Sequence, residues 1–180
     1  MKSLAAALLA FVFAAPAYGQ EEPPPLEVDV VGGIQPPMAI AVPAVPSAGG
    51  GDVAVGRQIA EVISSDLRST GLFTPLGPAG IGSYSYAEAS NPVYANWRNA
   101  GAAALVSGYV ESAGGRLTLA CYLFDVTAGR QLARQGFAVN ANHWRRAAHK
   151  CADLVYSRLS GDQPFLDTKV VYVAETGPKT

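Results

Sequence analysis

The sequence predicts an α+β fold: a mixed five-stranded sheet with a long C-terminal helix and a second helix packed on it. Three observations carry this reading. Residues 142–161, NHWRRAAHKCADLVYSRLSG, set Trp144, Ala147, Ala148, Cys151, Leu154, Val155 and Leu159 at helical spacing, with Arg145, Arg146, Lys150, Asp153 and Arg158 mostly on the other side. The 38 or so residues before that helix read as three strands separated by two tight turns. A helix with a single apolar stripe cannot bury itself, and the strands directly before it supply the sheet it needs.

The chain of 180 residues opens MKSLAAALLAFVFAAPAYGQ. Lys2 is a short positive lead, Leu4 to Ala15 form an apolar core too short to span a bilayer, and Ala17 and Gly19 are the small residues a signal peptidase reads. Residues 1–19 are therefore expected to be a signal peptide, cleaved after Gly19. No stop-transfer flank follows to favour a membrane anchor, and no cysteine stands at the cleavage site to favour a lipoprotein. The 13 basic and 14 acidic residues leave a formal net charge of −1, which is no electrostatic footprint for nucleic acid or anionic lipid. The length suits one domain with the beginning of another.

The remaining elements follow in order. QEEPPP, residues 20–25, cannot pack a core. LEVDVV, residues 26–31, alternates apolar and acidic residues as a half-exposed strand does, before Gly32-Gly33 and Pro36-Pro37 interrupt it. AIAVPAV, residues 39–45, reads as a buried strand with Pro43 near its end. A loop over 46–51 leads to Asp52, placed to cap a helix over 52–70 that buries Val55, Ile59, Val62, Ile63 and Leu67 and ends at Gly71. LFTPL, residues 72–76, is a short edge strand, and 77–88 a loop. A short helix over 92–99 takes Pro92 at its first position and closes at Gly101. Strands over 103–111, 116–126 and 131–140, joined by SAGG and TAGR turns, make an antiparallel meander. Asn142 is placed to cap the long helix and Gly161 to end it. FLDTKVVYVAETGPKT, residues 165–180, adds a strand over 170–173 outside this unit. It reads as the first strand of a second, truncated domain.

Cys121 and Cys151 both face the expected sheet–helix interface, one from a strand and one from the helix stripe. Export to an oxidising compartment allows a disulfide between them; two buried free thiols are the alternative, and spacing alone does not decide.

Little in the chain suggests reaction chemistry. His143 and His149 lie six apart on a helix, about 120° off a common face, and so do not jointly ligate a metal. Gly49-Gly50-Gly51 lacks the Lys-Ser/Thr of a phosphate loop, and Asp52 would repel an anion there. Ser64, Ser65 and Ser107 occupy no nucleophile elbow. Glu111 and Asp125 end adjacent strands as a candidate carboxylate pair, with turn-flanking charges in water as the plainer reading. Trp97, Trp144, Tyr94, Tyr109 and Tyr122 fall at core periods. The reading is a non-enzyme with no cofactor and no metal, which leaves binding. The candidate segment is 20–33: Gln20, Glu21 and Glu22 lead into Leu26, Glu27, Val28, Asp29, Val30 and Val31, closed by Gly32 and Gly33. Such an arm binds by adding a strand to another protein's sheet edge, with alternate side chains selecting the partner. The alternative is that residues 26–31 form the first strand of the chain's own sheet.

Several strings resemble one family. The AIAVPAV strand after an exported N-terminus, SSDLRSTGLFTPL, Trp97 before GAAALVSGYV, LACYLFDVTAGRQLA, NHWRRAAHK and LSGDQPFLDTKVVYVAETGPKT are together similar to the N-terminal domain of the TolB family of the Tol-Pal cell-envelope system. The resemblance implies four parts: the signal peptide (1–19), a TolA-binding segment (20–33), an α+β domain (34–163) and the start of a β-propeller (164–180). It implies a periplasmic location and no enzymatic activity. It also implies a role linking inner-membrane TolA to outer-membrane Pal, in support of envelope integrity and cell division. The mature N-terminus would bind the TolA C-terminal domain, and Pal would be bound by propeller blades outside this chain. Colicins are a further partner class, and membranes are met only through partners. The proline-rich lead, the loosely matching arm side chains and the paired cysteines depart from the family pattern. The rival readings are a curli-export-like secretion-assembly domain, which would lack the strand after Phe165, and a small periplasmic hydrolase, which would need a nucleophile–base pair.

Overall fold

The sheet is assembled in the order β2-β1-β3-β4-β5. In the computed structural model, which describes residues 36–48 and 53–168, β1 (Met38–Ala41) lies parallel between β2 (Phe73–Leu76) and β3 (Ala104–Ala113). β3, β4 (Arg116–Asp125) and β5 (Arg130–Asn140) then form the antiparallel meander. α1 (Val53–Ser69) and α3 (Trp144–Ser160) are the long helices, and α2 (Tyr94–Asn99) is short. The described residues belong to one of the two units into which the chain divides, 35–180. The expected segment 20–33 and its alternative strand over 26–31 lie outside the described residues, as do the strand over 170–173, Gly49-Gly50-Gly51 and the Asp52 cap.

Alternation in the meander decides what each sheet face buries. On one face Val106 and Val110 of β3 and Leu117, Leu119, Cys121 and Leu123 of β4 are buried against the helices. α1 contributes Ile59, Ile63 and Leu67, and α3 contributes Ala147, Ala148, Cys151 and Val155. On the other face Ala41, Leu105, Phe124 and Val126 are covered by Trp97 and Ala102. The mixed five-stranded sheet with two long helices is thus the observed architecture.

Several boundaries differ from the sequence reading, each for a local reason. β1 ends at Ala41, because Pro43 has no N–H for a ladder; Val42 still donates to the Leu76 carbonyl at 2.8 Å, and Val42 and Val45 stay buried. β3 runs on to Ala113 opposite Arg116, which leaves a two-residue turn. Gly114 and Gly115 make it with φ of 55° and 74°, the pair of positive values a type I′ hairpin demands. α2 begins at Tyr94 rather than Pro92, since Val93 takes an extended N-cap conformation (ψ 93°). Asn142 does not cap α3. Its own N–H is instead bonded by the Asn140 side chain at 3.1 Å, which caps a single 3₁₀ turn over Ala141–His143, and α3 starts at Trp144 without a side-chain cap. Trp144 is only half-buried, with the Arg145 guanidinium 4.3 Å from its ring centre, so it is a rim contact. Gly161 does end α3, with φ of 82°.

Beyond Leu105, β3 has no β1 partner, and two devices close the gap. The Pro46 carbonyl accepts from Val110 N–H (2.9 Å) and Ala48 N–H donates to Val110 (2.8 Å). Between them the Tyr84 hydroxyl donates to the Gly108 carbonyl and accepts from the Gly108 N–H, both at 2.8 Å. Burial pushes the Tyr84 phenol well above its ordinary value. Gly108 is required because a Cβ there would stand 1.9 Å from the Ala120 carbonyl oxygen. Gly108→Ala should therefore cost about 1–3 kcal/mol as an overpacking change, and Tyr84→Phe about 1–3 kcal/mol through the strand groups it leaves unpaired. Urea melts of both variants check this; losses under 0.5 kcal/mol, roughly the noise of a surface substitution, would mean that β3 edge closure is not structural.

Candidate interaction site

The candidate reacting groups do not converge. Glu111 lies opposite Thr118 and Asp125 opposite Ala104, at opposite ends of the β3–β4 pair. In an antiparallel pair the C-terminal ends of consecutive strands point to opposite poles, so the two carboxylates cannot meet. The Glu111 carboxylate accepts from the Tyr86 hydroxyl at 3.2 Å, and Asp125 accepts from Ala128 N–H at 2.8 Å within its turn. Ser107 donates to the Ala89 carbonyl at 2.6 Å. The buried Ser64 hydroxyl has no hydrogen-bond partner among the described residues. Tyr94 and Trp97 pack against Phe124 and Tyr84 in edge-to-face pairs.

His149 is half-buried and paired with a side chain of the other long helix. Its Nδ1 lies 2.6 Å from the Asp66 carboxylate and ties α3 to α1. Burial raises the Asp66 carboxyl from its ordinary value, against the pull of the His149 hydrogen bond and charge, and Asp153 raises it further. His143 sits exposed at the N-cap of α3, so the two histidines share no ligand. The Cys121 and Cys151 sulfurs stand 2.02 Å apart, with the Cα atoms 5.9 Å apart, and so join the middle of β4 to α3.

Two features mark where the chain enters and leaves the described domain. Pro36, Pro37 and Met38 line an open groove of about 410 Å³ with Leu72, Phe73 and Leu159. Met38 and Leu72 are 40% and 46% exposed there, high for large apolar side chains. The exit is strapped to α3. The Asp153 carboxylate accepts from the N–H groups of Phe165, Leu166 and Asp167 at 2.9, 2.7 and 2.9 Å. Arg146 bridges to Asp167 at 3.2 Å, and the Phe165 ring stands edge-on to Tyr156 at 5.0 Å. Sequence reasoning placed Asp153 on the polar side of its helix and missed this strap, because its partners lie twelve or more residues away.

Among the described residues no group of three or more His, Cys, Asp or Glu is placed to hold a metal ion, and no helix is long and apolar enough to cross a membrane. What fold and site define is an α+β module of two helices on a mixed sheet, whose distinctive features are surfaces and chain attachments. The model of the TolB amino-terminal domain family matches residues 26–132, and the chain belongs to that family. It is 48% identical over 185 aligned residues to the Tol-Pal system protein TolB of Rhizorhabdus wittichii, covering 98% of this chain and 41% of that protein. It is 49% identical to the protein of the same name from Zymomonas mobilis subsp. mobilis, covering 86% of this chain and 35% of the relative. The chain thus spans less than half the length of these curated relatives. The crystal structure of TolB from Acinetobacter baumannii shares the fold, with a TM-score of 0.57 at 21% identity over 69% of this chain and 29% of that one.

Two measurements test the polar and covalent ties between elements. The raised carboxyl of Asp66 binds its proton more tightly folded than unfolded. Its contribution is therefore full below the ordinary 3.8 and lost as pH rises through the folded value. Wild type should accordingly gain stability over Asp66→Asn as pH is lowered through the carboxylate range, read from denaturant midpoints between pH 7 and pH 3; a flat difference would show that burial does not shift this carboxyl. The second concerns Cys121 and Cys151, which are 30 residues apart. Reducing the bridge should cost about 3–4 kcal/mol by the loop-closure relation, measured as the fall in unfolding free energy with dithiothreitol, an effect absent from Cys121→Ser/Cys151→Ser.

Proposed function

We propose that this chain is the amino-terminal part of a periplasmic, non-enzymatic protein-binding component of the Tol-Pal system. The observation that supports this most directly is the 48% identity to the Rhizorhabdus wittichii Tol-Pal system protein across 98% of the chain. In this reading residues 1–19 direct export and are removed. The segment 20–33 is an extended arm that adds a strand to the C-terminal domain of TolA. Its main chain supplies most of the affinity, while either Leu26, Val28 and Val30 or Glu27 and Asp29 select the partner. The α+β domain of residues 34–163 carries the arm, and residues 164–180 begin a β-propeller that binds Pal. Inner-membrane TolA and outer-membrane Pal are linked through the two ends, which supports envelope integrity and division.

Deletion of residues 20–33 from the full-length protein should abolish capture of the TolA C-terminal domain. The thermal transition should move by no more than about 1 °C and Pal capture should persist, because an arm of this kind adds little to the folded core. Pull-down and scanning calorimetry measure both. Undiminished TolA capture by the deletion variant would refute the arm.

A further inference from the structure

The second face of the sheet is covered only in part. α2 and the loop before it pack over Ala41, Leu105, Phe124 and Val126. Farther along, the strand register sets Tyr122 beside Arg134, Tyr109 beside Ala120 with Gly136 next to it, and Thr118 beside Ala138. These rows form an open trough of about 390 Å³ lined by Tyr109, Thr118, Ala120, Tyr122, Arg134 and Gly136.

Its construction is specific. One wall carries Tyr109 and Tyr122, 6.3 Å apart between centroids, with Tyr86 4.6 Å from Tyr109 and the buried Phe124 6.2 Å from Tyr122. The floor rises no higher than a methyl group at Ala120 and Ala138, and at Gly136 not even that. Gly136 keeps φ outside the left-handed region, and a Cβ there would meet nothing within 4 Å. A glycine that neither turn geometry nor close approach requires is a bare spot in the floor. Exposed guanidinium groups mark the two ends, Arg134 opposite Tyr122 and Arg116 opposite Asn140. Neither makes a hydrogen bond or ion pair among the described residues. Along β5 the two positions are six residues apart, roughly 20 Å at the usual strand rise.

We propose that this trough is a docking site for an extended, acidic peptide segment of a partner protein. Tyrosine and arginine around a small-residue floor are the side chains that dominate protein-binding surfaces, since rigid rings offer large contact area at little entropy cost. An extended chain has the length and narrowness of the trough. Two cations at its ends, neither in an ion pair among the described residues, favour carboxylates at matching spacing, about five to seven residues apart. The one carboxylate on this stretch of the face, Glu111, is engaged by Tyr86. Nucleic acid is a poorer fit, because two cations roughly 20 Å apart do not make the continuous basic surface that a phosphate backbone needs.

A displayed library of random twelve-residue peptides, selected on the purified full-length protein, tests the proposal. Selected peptides should carry two or more carboxylates. Their affinity should fall by at least about tenfold in Gly136→Leu, which fills the floor, and in Arg134→Glu, and by about threefold or more in Arg116→Glu. Thermal melting of each variant is measured alongside. If Gly136→Leu loosens the fold, the two exposed charge reversals decide. The proposal is overturned if no peptide is selected, if the peptides are neutral or basic, or if none of the three substitutions weakens them. It is equally overturned if sedimentation shows self-association that Gly136→Leu abolishes, because the face would then be a contact between copies of this chain.

Discussion

The structure depends on β4, whose helix-facing row is fully buried and whose opposite row is buried at Ala120 and Phe124. Leu117, Leu119, Cys121 and Leu123 face the helices, while Ala120 and Phe124 face the other way, and all six are nearly inaccessible. A strand in that position leaves no freedom of register, because a one-residue slip would exchange the two sets of neighbours. β3 and β5 align on it by their ladders, and α3 is held to it by the sulfur bridge and by Ala148, Cys151 and Val155. The close approach of Gly108 to the Ala120 carbonyl belongs to the same constraint, since any side chain on β3 there would push the pair apart.

Periodic elements were legible in the sequence because local pattern determines them. The stripe from Ala147 to Leu159, the three meander strands and the left-handed Gly161 follow from spacing and glycine alone. Readings failed where a residue had two local options. Asn140 and Asn142 both suit a cap, and the 3₁₀ turn at Ala141 selects the first. Pro92 suits a first helical position, but Val93 takes the extended conformation instead. SAGG allowed a longer turn, and Gly114-Gly115 alone were enough.

The polar ties were invisible for a different reason. Tyr84 reaches Gly108 across 24 residues, and His149 reaches Asp66 across 83, so neither partnership leaves a short-range trace. Glu111 and Asp125 show the converse case: strand-end position allowed a pair, strand direction separates them, and the plainer reading of turn-flanking charges is the one that fits. Family membership was easier to see than any interaction. Strings such as LACYLFDVTAGRQLA encode β4, its turn and the start of β5, and packing restricts them tightly. The arm that is proposed to bind TolA follows the family pattern only loosely.

The Asp153 carboxylate has a mechanical consequence. Cys151 stands two residues before it in α3 and is bonded into β4, so tension applied to the chain beyond Leu166 passes through three main-chain hydrogen bonds into a helix covalently stapled to the sheet. The force would bypass the apolar contacts between helix and strands, which yield readily under load. Pulled from this end, the domain is loaded first at its hydrogen bonds and its disulfide.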